Sequence, residues 1–262
     1  MKKVVVITGA TSGIGQVTAE YLAKKDYNIY CLARRTGKLS NIKYLQCDIT
    51  NESEILNAIS VIVSNEKRID VLINNAGIGV SGSIENTPCE DIKKTIDLNI
   101  VSMIRMSQAC LPYLRETKGK IINIGSIAGV LTIPFQTMYS LSKAAVLSFS
   151  EGLALEVKPF GVKVTCVMPG DTKTSFTENR SKSEEEDSVY YERFKRSIKK
   201  MEKDEINGGS PVVVSKVIYK IIKKKNPPVV KSVGFSYKLF VFLKKFLPNR
   251  FVLYVLYKMY AK

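Results

Sequence analysis

The run Val4-Val-Val-Ile-Thr8-Gly9-Ala-Thr-Ser12-Gly13-Ile14-Gly15, passing directly into the helical stretch 16–25, constrains the fold more than any other feature of the chain. A β-branched strand, a glycine-bearing loop and a helix follow one another without a spacer. Glycines let the backbone turn tightly and approach an anion, and a helix N-terminus offers free N–H groups and the positive end of its dipole. The segment therefore reads as a phosphate-binding strand, loop and helix. Its Gly-x-x-x-Gly-x-Gly spacing differs from the tighter Gly-x-Gly-x-x-Gly of the general dinucleotide motif.

Apolar strands alternate with helical stretches from the first residues to about Pro228, a pattern that implies an α/β fold with a parallel sheet. Strands are expected at 3–8, 28–32, 44–47, 70–74, 119–125, 162–168 and 229–232. The segment 35–43 is too short for a crossover helix, so an irregular loop or a single turn is expected there. With 262 residues and 45% apolar content, the chain can bury a substantial core without disulfide or metal staples. Residues 1–234 are expected to form one catalytic domain, with 175–209 as a polar cover over the substrate and 235–262 as an extension.

Composition removes several chemistries. There is no histidine, which excludes a Ser-His-Asp hydrolase and a histidine-ligated metal site. No metal is expected. Cys31, Cys47, Cys89, Cys110 and Cys166 form no Cys-x-x-Cys pair, and buried, reduced thiols are expected. Met1-Lys-Lys leads straight into the first strand without a signal-peptide pattern, so a cytoplasmic protein is expected.

A second local pattern carries proton chemistry. Ser126 ends an apolar strand, and Tyr139 and Lys143 stand four residues apart on a predicted helix, so their side chains emerge on one face. A phenol titrates near pH ~10, and a neighbouring ammonium would lower that value toward the range where acid and conjugate base both work. Tyr-x-x-x-Lys alone is a weak signal; the upstream loop gives it meaning.

Together these motifs resemble the short-chain dehydrogenase/reductase family, over residues 4 to about 175. Thr8 to Gly15, including Gly9, Ser12, Gly13 and Ile14, match its cofactor loop. Asp48, followed by Ile49, matches its adenine contact, and Asn74-Asn75-Ala76-Gly77 the segment that supports the sheet and lines the cofactor. Asn99, Ser126, Tyr139 and Lys143 match the catalytic tetrad, while Pro169-Gly170-Asp171-Thr172-Lys173-Thr174 match the turn that holds the nicotinamide carboxamide. Thr172 departs from the usual aliphatic residue, at a contact made largely through backbone.

The resemblance implies a doubly wound Rossmann-type domain and hydride transfer between nicotinamide and a carbonyl carbon. Tyr139 would give the proton, Ser126 would position the oxygen, Lys143 would bind the ribose and depress the Tyr139 pKa, and Asn99 would hold a relay water. Ala33 stands where NAD-preferring relatives carry an Asp, and Arg34 and Arg35 follow it. A guanidinium suits a 2′-phosphate, so NADP(H) is the expected cofactor. Ser12 tempers this, since many NADP-dependent relatives carry a second basic residue there.

The apolar residues between Ser126 and Tyr139 are similar to the hydroxysteroid and retinol dehydrogenase branch, which implies a carbonyl reductase for a bulky hydrophobic substrate. A 3-oxoacyl-thioester reductase and a non-catalytic NADP-sensing scaffold are the alternatives. A homodimer or homotetramer is expected.

The net charge of +16 is unevenly placed: residues 1–189 carry 22 basic and 20 acidic side chains, against 18 and 4 in 190–262. Pro248 divides two helical stretches in 235–262. In the second, Arg250, Tyr254, Lys258 and Lys262 share one face, with Val252, Val255, Leu256 and Met259 largely opposite, a basic amphipathic helix. It suits an anionic membrane surface or a protein contact, and nucleic acid ranks last because the aromatics lie within apolar runs.

Overall fold

Successive side chains on the first strand alternate between two cores, which is why the entire run is apolar. The computed structural model describes residues 2–37 and 39–262. In β1 (Lys3–Thr8), Val4 and Val6 pack with Ile55, Ile59, Met106 and Leu114 on one face, while Val5 and Ile7 pack with Ala19, Leu22 and Ile218 on the other. Each fully buried aliphatic side chain contributes about 1.5–3 kcal/mol.

β2 (Tyr27–Ala33), β3 (Lys43–Gln46), β4 (Val71–Asn74), β6 (Lys120–Ile124), β7 (Lys163–Pro169) and β9 (Val230–Val233) complete a seven-stranded, all-parallel sheet. Its order is β3-β2-β1-β4-β6-β7-β9. All seven lie within one residue of the expected positions. β5 (Val80–Ser81) and β8 (Ser181–Lys182), not expected from the sequence, pair in parallel beside the sheet. Two-residue strands carry no readable period.

Helices cover both faces, as a parallel sheet requires. α1 (Gly13–Ala23) and α7 (Pro211–Lys223) lie on one; α2 (Glu52–Glu66), α4 (Ser102–Thr117) and α5 (Thr137–Glu156) lie on the other. α3 (Cys89–Ile96) runs into α4 through a π turn at Asp97–Val101. α6 (Tyr191–Ile206) belongs to the expected cover. Four cysteines are buried, but Cys89, the first residue of α3, is exposed, a correction to the expectation for all five.

Residues 235–262 form α8 (Phe235–Lys244) and α9 (Asn249–Tyr260), divided at Pro248 as its missing N–H and fixed φ dictate. Tyr237 of α8 lies on Gly170, where an added Cβ would come 2.1 Å from the ring. The hairpin thus sits over the carboxyl ends of the strands. The chain order reverses there between β1 and β4, the crevice where doubly wound sheets bind ligands.

Candidate active site

The loop between β1 and α1 is pressed against the end of β4. Gly9 and Gly13 have φ of +64° and +56°, and a Cβ on Gly9 would come 2.8 Å from the Ala76 Cα. Asn75 fixes the loop: its Nδ2 donates to Thr8 O and Gly9 O at 3.0 Å each, and its N–H donates to Thr8 Oγ1 at 3.0 Å. Ser12 occupies the N-cap of α1 without a side-chain cap bond. The N–H groups of the first turn lack helical acceptors and face a cavity.

That cavity, about 1170 Å³, gathers Gly9, Ser12, Gly13, Ile14, Arg34, Arg35, Asp48, Ile49, Ala76 and Gly77 with Ser126, Tyr139, Lys143, Pro169, Gly170, Thr172 and Thr174. Three sequence-selected residues stand behind its wall. Asn74 is buried and donates to Asn123 Oδ1 at 2.9 Å and Ser107 Oγ at 3.2 Å, tying β4 to β6 and α4. Gly15 underlies the loop, where a Cβ would come 2.4 Å from Asn75 Nδ2. Asn99 is the third, described below.

Burial raises the Asp48 carboxyl, but bonds from the Thr50 N–H (3.0 Å) and hydroxyl (2.7 Å), together with the nearby Arg34 charge, outweigh it and hold the group below its ordinary value. Arg34 and Arg35 are exposed at the end of β2, with Ala33 in place of a carboxylate. Orphaned N–H donors, a glycine surface too close for side chains and a free guanidinium together fit a phosphorylated dinucleotide.

Ser126 and Tyr139 come together because Gly129 has no side chain. Ser126 caps the 3-10 turn Ile127–Gly129, accepting from Ala128 N at 3.1 Å, and a Cβ on Gly129 would lie 2.6 Å from the Lys143 carbonyl. The turn can therefore lie against α5, and Ser126 and Tyr139 line the same cavity. Lys143 is buried; its Nζ donates to Ile124 O at 2.9 Å and lies 5.7 Å from the Tyr139 ring centroid.

The electrostatics differ from the sequence expectation. Burial pushes the Tyr139 phenol up to about 12, against the lowering effect of Ser126, and it pushes Lys143 down to about 8. Desolvation is the largest influence on both groups, and Lys143 is committed to the Ile124 carbonyl. Tyr139 is thus held as the protonated acid.

Asn99 lies in the π turn, whose extra residue aims its side chain inward. Its Oδ1 accepts from Ile78 N at 2.9 Å, and its Nδ2 donates to Ile78 O at 2.9 Å and Ser142 Oγ at 3.0 Å. A Cβ on Gly77 would come 3.1 Å from Asn99 Oδ1 and 3.7 Å from Lys143 Nζ, so both groups converge on that glycine.

Sequence reasoning missed the acidic groups near the tyrosine. Asp171 lines the cavity, is raised by burial, and accepts from Tyr237 Oη at 2.5 Å. Glu205 pairs with the buried Arg180 and accepts from Thr177 Oγ1 at 2.5 Å. Phe176 stands 5.5 Å from the Tyr139 ring. Residues 237–260 add an apolar wall to the cavity, through Phe240 of α8, Leu247 of the connection, and Val255 and Leu256 of α9. A charged stretch such as 178–205 gives no signal of which members pair inward.

The family model described as short chain dehydrogenase matches residues 3–185. A 3-ketodihydrosphingosine reductase of Bacteroides thetaiotaomicron is 41% identical over 264 residues, covering 99% of this chain and 98% of the relative. A short-chain dehydrogenase from Streptomyces avermitilis has a similar structure, with TM-score 0.82 and 27% identity over 94% of this chain and 92% of that one. The structure of ElxO with NADP bound has TM-score 0.76 and 29% identity, covering 91% of this chain and all of that one.

Proposed function

The chain belongs to the short chain dehydrogenase family and is an NADP(H)-dependent oxidoreductase, and from that premise we propose that it reduces the ketone of a long-chain amphiphile with an amino group beside the carbonyl. 3-Ketodihydrosphingosine, named for the Bacteroides relative, has this chemistry. One observation carries the reading: a single cavity is lined by Ser126, Tyr139 and Asp171 at one end and by the apolar residues of 237–260 along its wall. Hydrocarbon fits the wall and an ammonium fits the acid.

Backbone N–H groups at Ser12, Gly13 and Ile14 would hold the cofactor phosphates, Arg34 and Arg35 the 2′-phosphate, Asp48 and Ile49 the adenine end, and residues 169–174 the nicotinamide end. The bound cofactor supplies the hydride. Ser126 holds the ketone oxygen through its hydroxyl, and Tyr139 gives that oxygen the phenolic proton. The Lys143 charge stabilises the phenolate left behind. Asn99, by clamping Ile78, keeps the adjoining backbone in place, and a water on its remaining lone pair would reconnect Lys143 to solvent.

Residues 1–234 are the catalytic unit, and 175–209 cover the polar end, with Phe176 against Tyr139. Assembly as a homodimer or homotetramer and peripheral attachment of a cytoplasmic protein to an anionic membrane belong to the same proposal. The basic, apolar residues 235–262 support the attachment.

Two measurements test the assignments. Arg34→Ala is expected to weaken NADPH binding by about 1.5–3 kcal/mol, the worth of a charge-assisted hydrogen bond, and to leave NADH binding nearly unchanged. Titration of both cofactors decides it, and equal losses would show that Arg34 does not read the phosphate. Asp171→Asn keeps an acceptor for Tyr237 but removes the charge. With NADPH consumption followed, KM for a long-chain 2-amino-3-ketone is expected to rise about tenfold while KM for the matching neutral ketone stays constant, in line with ~1.5 kcal/mol for one charge-assisted hydrogen bond. Equal changes in both would remove Asp171 from ammonium recognition.

A further inference from the structure

Among the described residues no helix is long and apolar enough to cross a membrane, yet the chain ends in an unusually apolar exposed surface. Neither α8 nor α9 contains a buried residue. Among the described residues, more than half of the exposed large apolar side chains fall between Phe235 and Met259. A soluble helix hairpin ordinarily turns such residues inward, and an exposed apolar patch of this kind marks an interaction site.

The hairpin has two apolar sides. Phe242 (55% exposed) and Phe246 (72%) of the α8 side have ring centroids 5.1 Å apart, and Leu253 (51%) and Tyr254 (58%) lie on α9; none of the four lines the cavity. By contrast Phe240, Leu243, Leu247, Phe251, Val255 and Met259 are both exposed and part of the cavity wall. The cavity is therefore continuous with the outer surface along the hairpin itself. Its reactive end lies beneath, since Tyr237 bonds Asp171 and Lys244 bonds the Val130 carbonyl above the 3-10 turn.

Charge identifies the occupant. No Asp or Glu occurs after Glu205, whereas twelve Lys and Arg do, among them Lys238, Lys245, Arg250 and Lys258 on the hairpin. A second copy seated on this face would set like charges against like charges. An anionic bilayer accepts both components, with aromatic and aliphatic side chains at the boundary of the acyl chains and cations among the phosphates.

We propose that an anionic lipid bilayer docks on the outer face of the α8–α9 hairpin, and that a lipid ketone enters the cavity from the bilayer through the apolar slot between these helices rather than from water. The second half rests on the reading of the substrate as a long-chain ketone; the docking half does not. Apolar passage from bilayer to cavity spares the hydrocarbon chain exposure to water, and the polar head then reaches Ser126, Tyr139 and Asp171.

The experiment uses the full chain with vesicles of phosphatidylcholine, with and without phosphatidylglycerol. The full-length protein is expected to sediment with the anionic vesicles at low salt and to be released as salt rises. Two double variants avoid the cavity-lining residues: Phe242→Glu/Phe246→Glu, and Lys245→Glu/Arg250→Glu, which leaves all of the apolar contacts. Each is expected to lose at least tenfold in vesicle affinity and to retain turnover of a short, water-soluble ketone. Turnover of a long-chain ketone carried in vesicles is expected to fall by a similar factor. Docking is overturned if the native protein ignores anionic vesicles, if both variants bind as tightly as it does, or if the native protein is an oligomer that the variants split while no form binds lipid. Entry from the bilayer is overturned if the variants lose vesicle binding but reduce the vesicle-borne ketone at the native rate. If docking holds while no long-chain ketone is reduced and short ketones are, the substrate reading fails and the docking surface stands.

Discussion

Tyr139→Phe is expected to lower single-turnover ketone reduction by at least ~100-fold, the lower range for losing a general acid. The ring keeps its packing against Phe176, and Ser126 keeps its bond to Ala128 N, so cofactor affinity should change little. Near-normal turnover in this variant would remove Tyr139 from the proton-donor role. The pH profile separates it from its neighbour. Tyr139, raised to about 12, remains protonated through the working range, whereas Lys143, depressed by burial to about 8, loses its charge as pH rises through that value. Reductive kcat/KM is therefore expected to be level below about pH 8 and to fall tenfold per pH unit above it, as the charge that stabilises the phenolate disappears. A profile level to pH 10 would show that the Lys143 charge is not needed.

The other large effect is on stability. Glu205→Met leaves the Arg180 guanidinium, whose side chain is 1% exposed, without its carboxylate, and Arg180 Nε and Nη1 already lack partners among the described residues. Removing one member of a buried pair costs about 3–5 kcal/mol, and for a domain of this size that corresponds to a fall in Tm of roughly 6–20 °C. Urea unfolding measures it. The double change Arg180→Met/Glu205→Leu is expected to recover most of the loss, because no buried charge then remains. Native-like stability of Glu205→Met would show that Arg180 is hydrated.

The elements that were legible are those whose cause is local. β1 is readable because β-branched residues favour a pleated, two-sided buried surface, and the loop after it because Gly9 must take a positive φ. Tyr139 and Lys143 could be placed on one helix face from their spacing of four alone. Asn99 was selected by its motif, but the π turn that aims it at Ile78 was not foreseen, because 97–101 contains neither Gly nor Pro to mark a change in the helix. The same limit applies to 178–205, where Arg180 and Glu205 resemble their solvated neighbours until the fold brings them together.

The sequence by itself determined the individual strands, the phosphate loop, the Tyr139–Lys143 spacing and the basic, apolar character of 235–262, since each depends on neighbours a few residues apart. Only the tertiary structure decided that Tyr139 is held as an acid rather than activated toward phenolate, because desolvation depends on everything packed around the ring. Only it set the terminal hairpin across the mouth of the cavity, with one set of apolar residues toward the cavity and another outward. Periodicity fixes which residues share a helix face; what that face meets is settled by contacts between segments far apart in the chain.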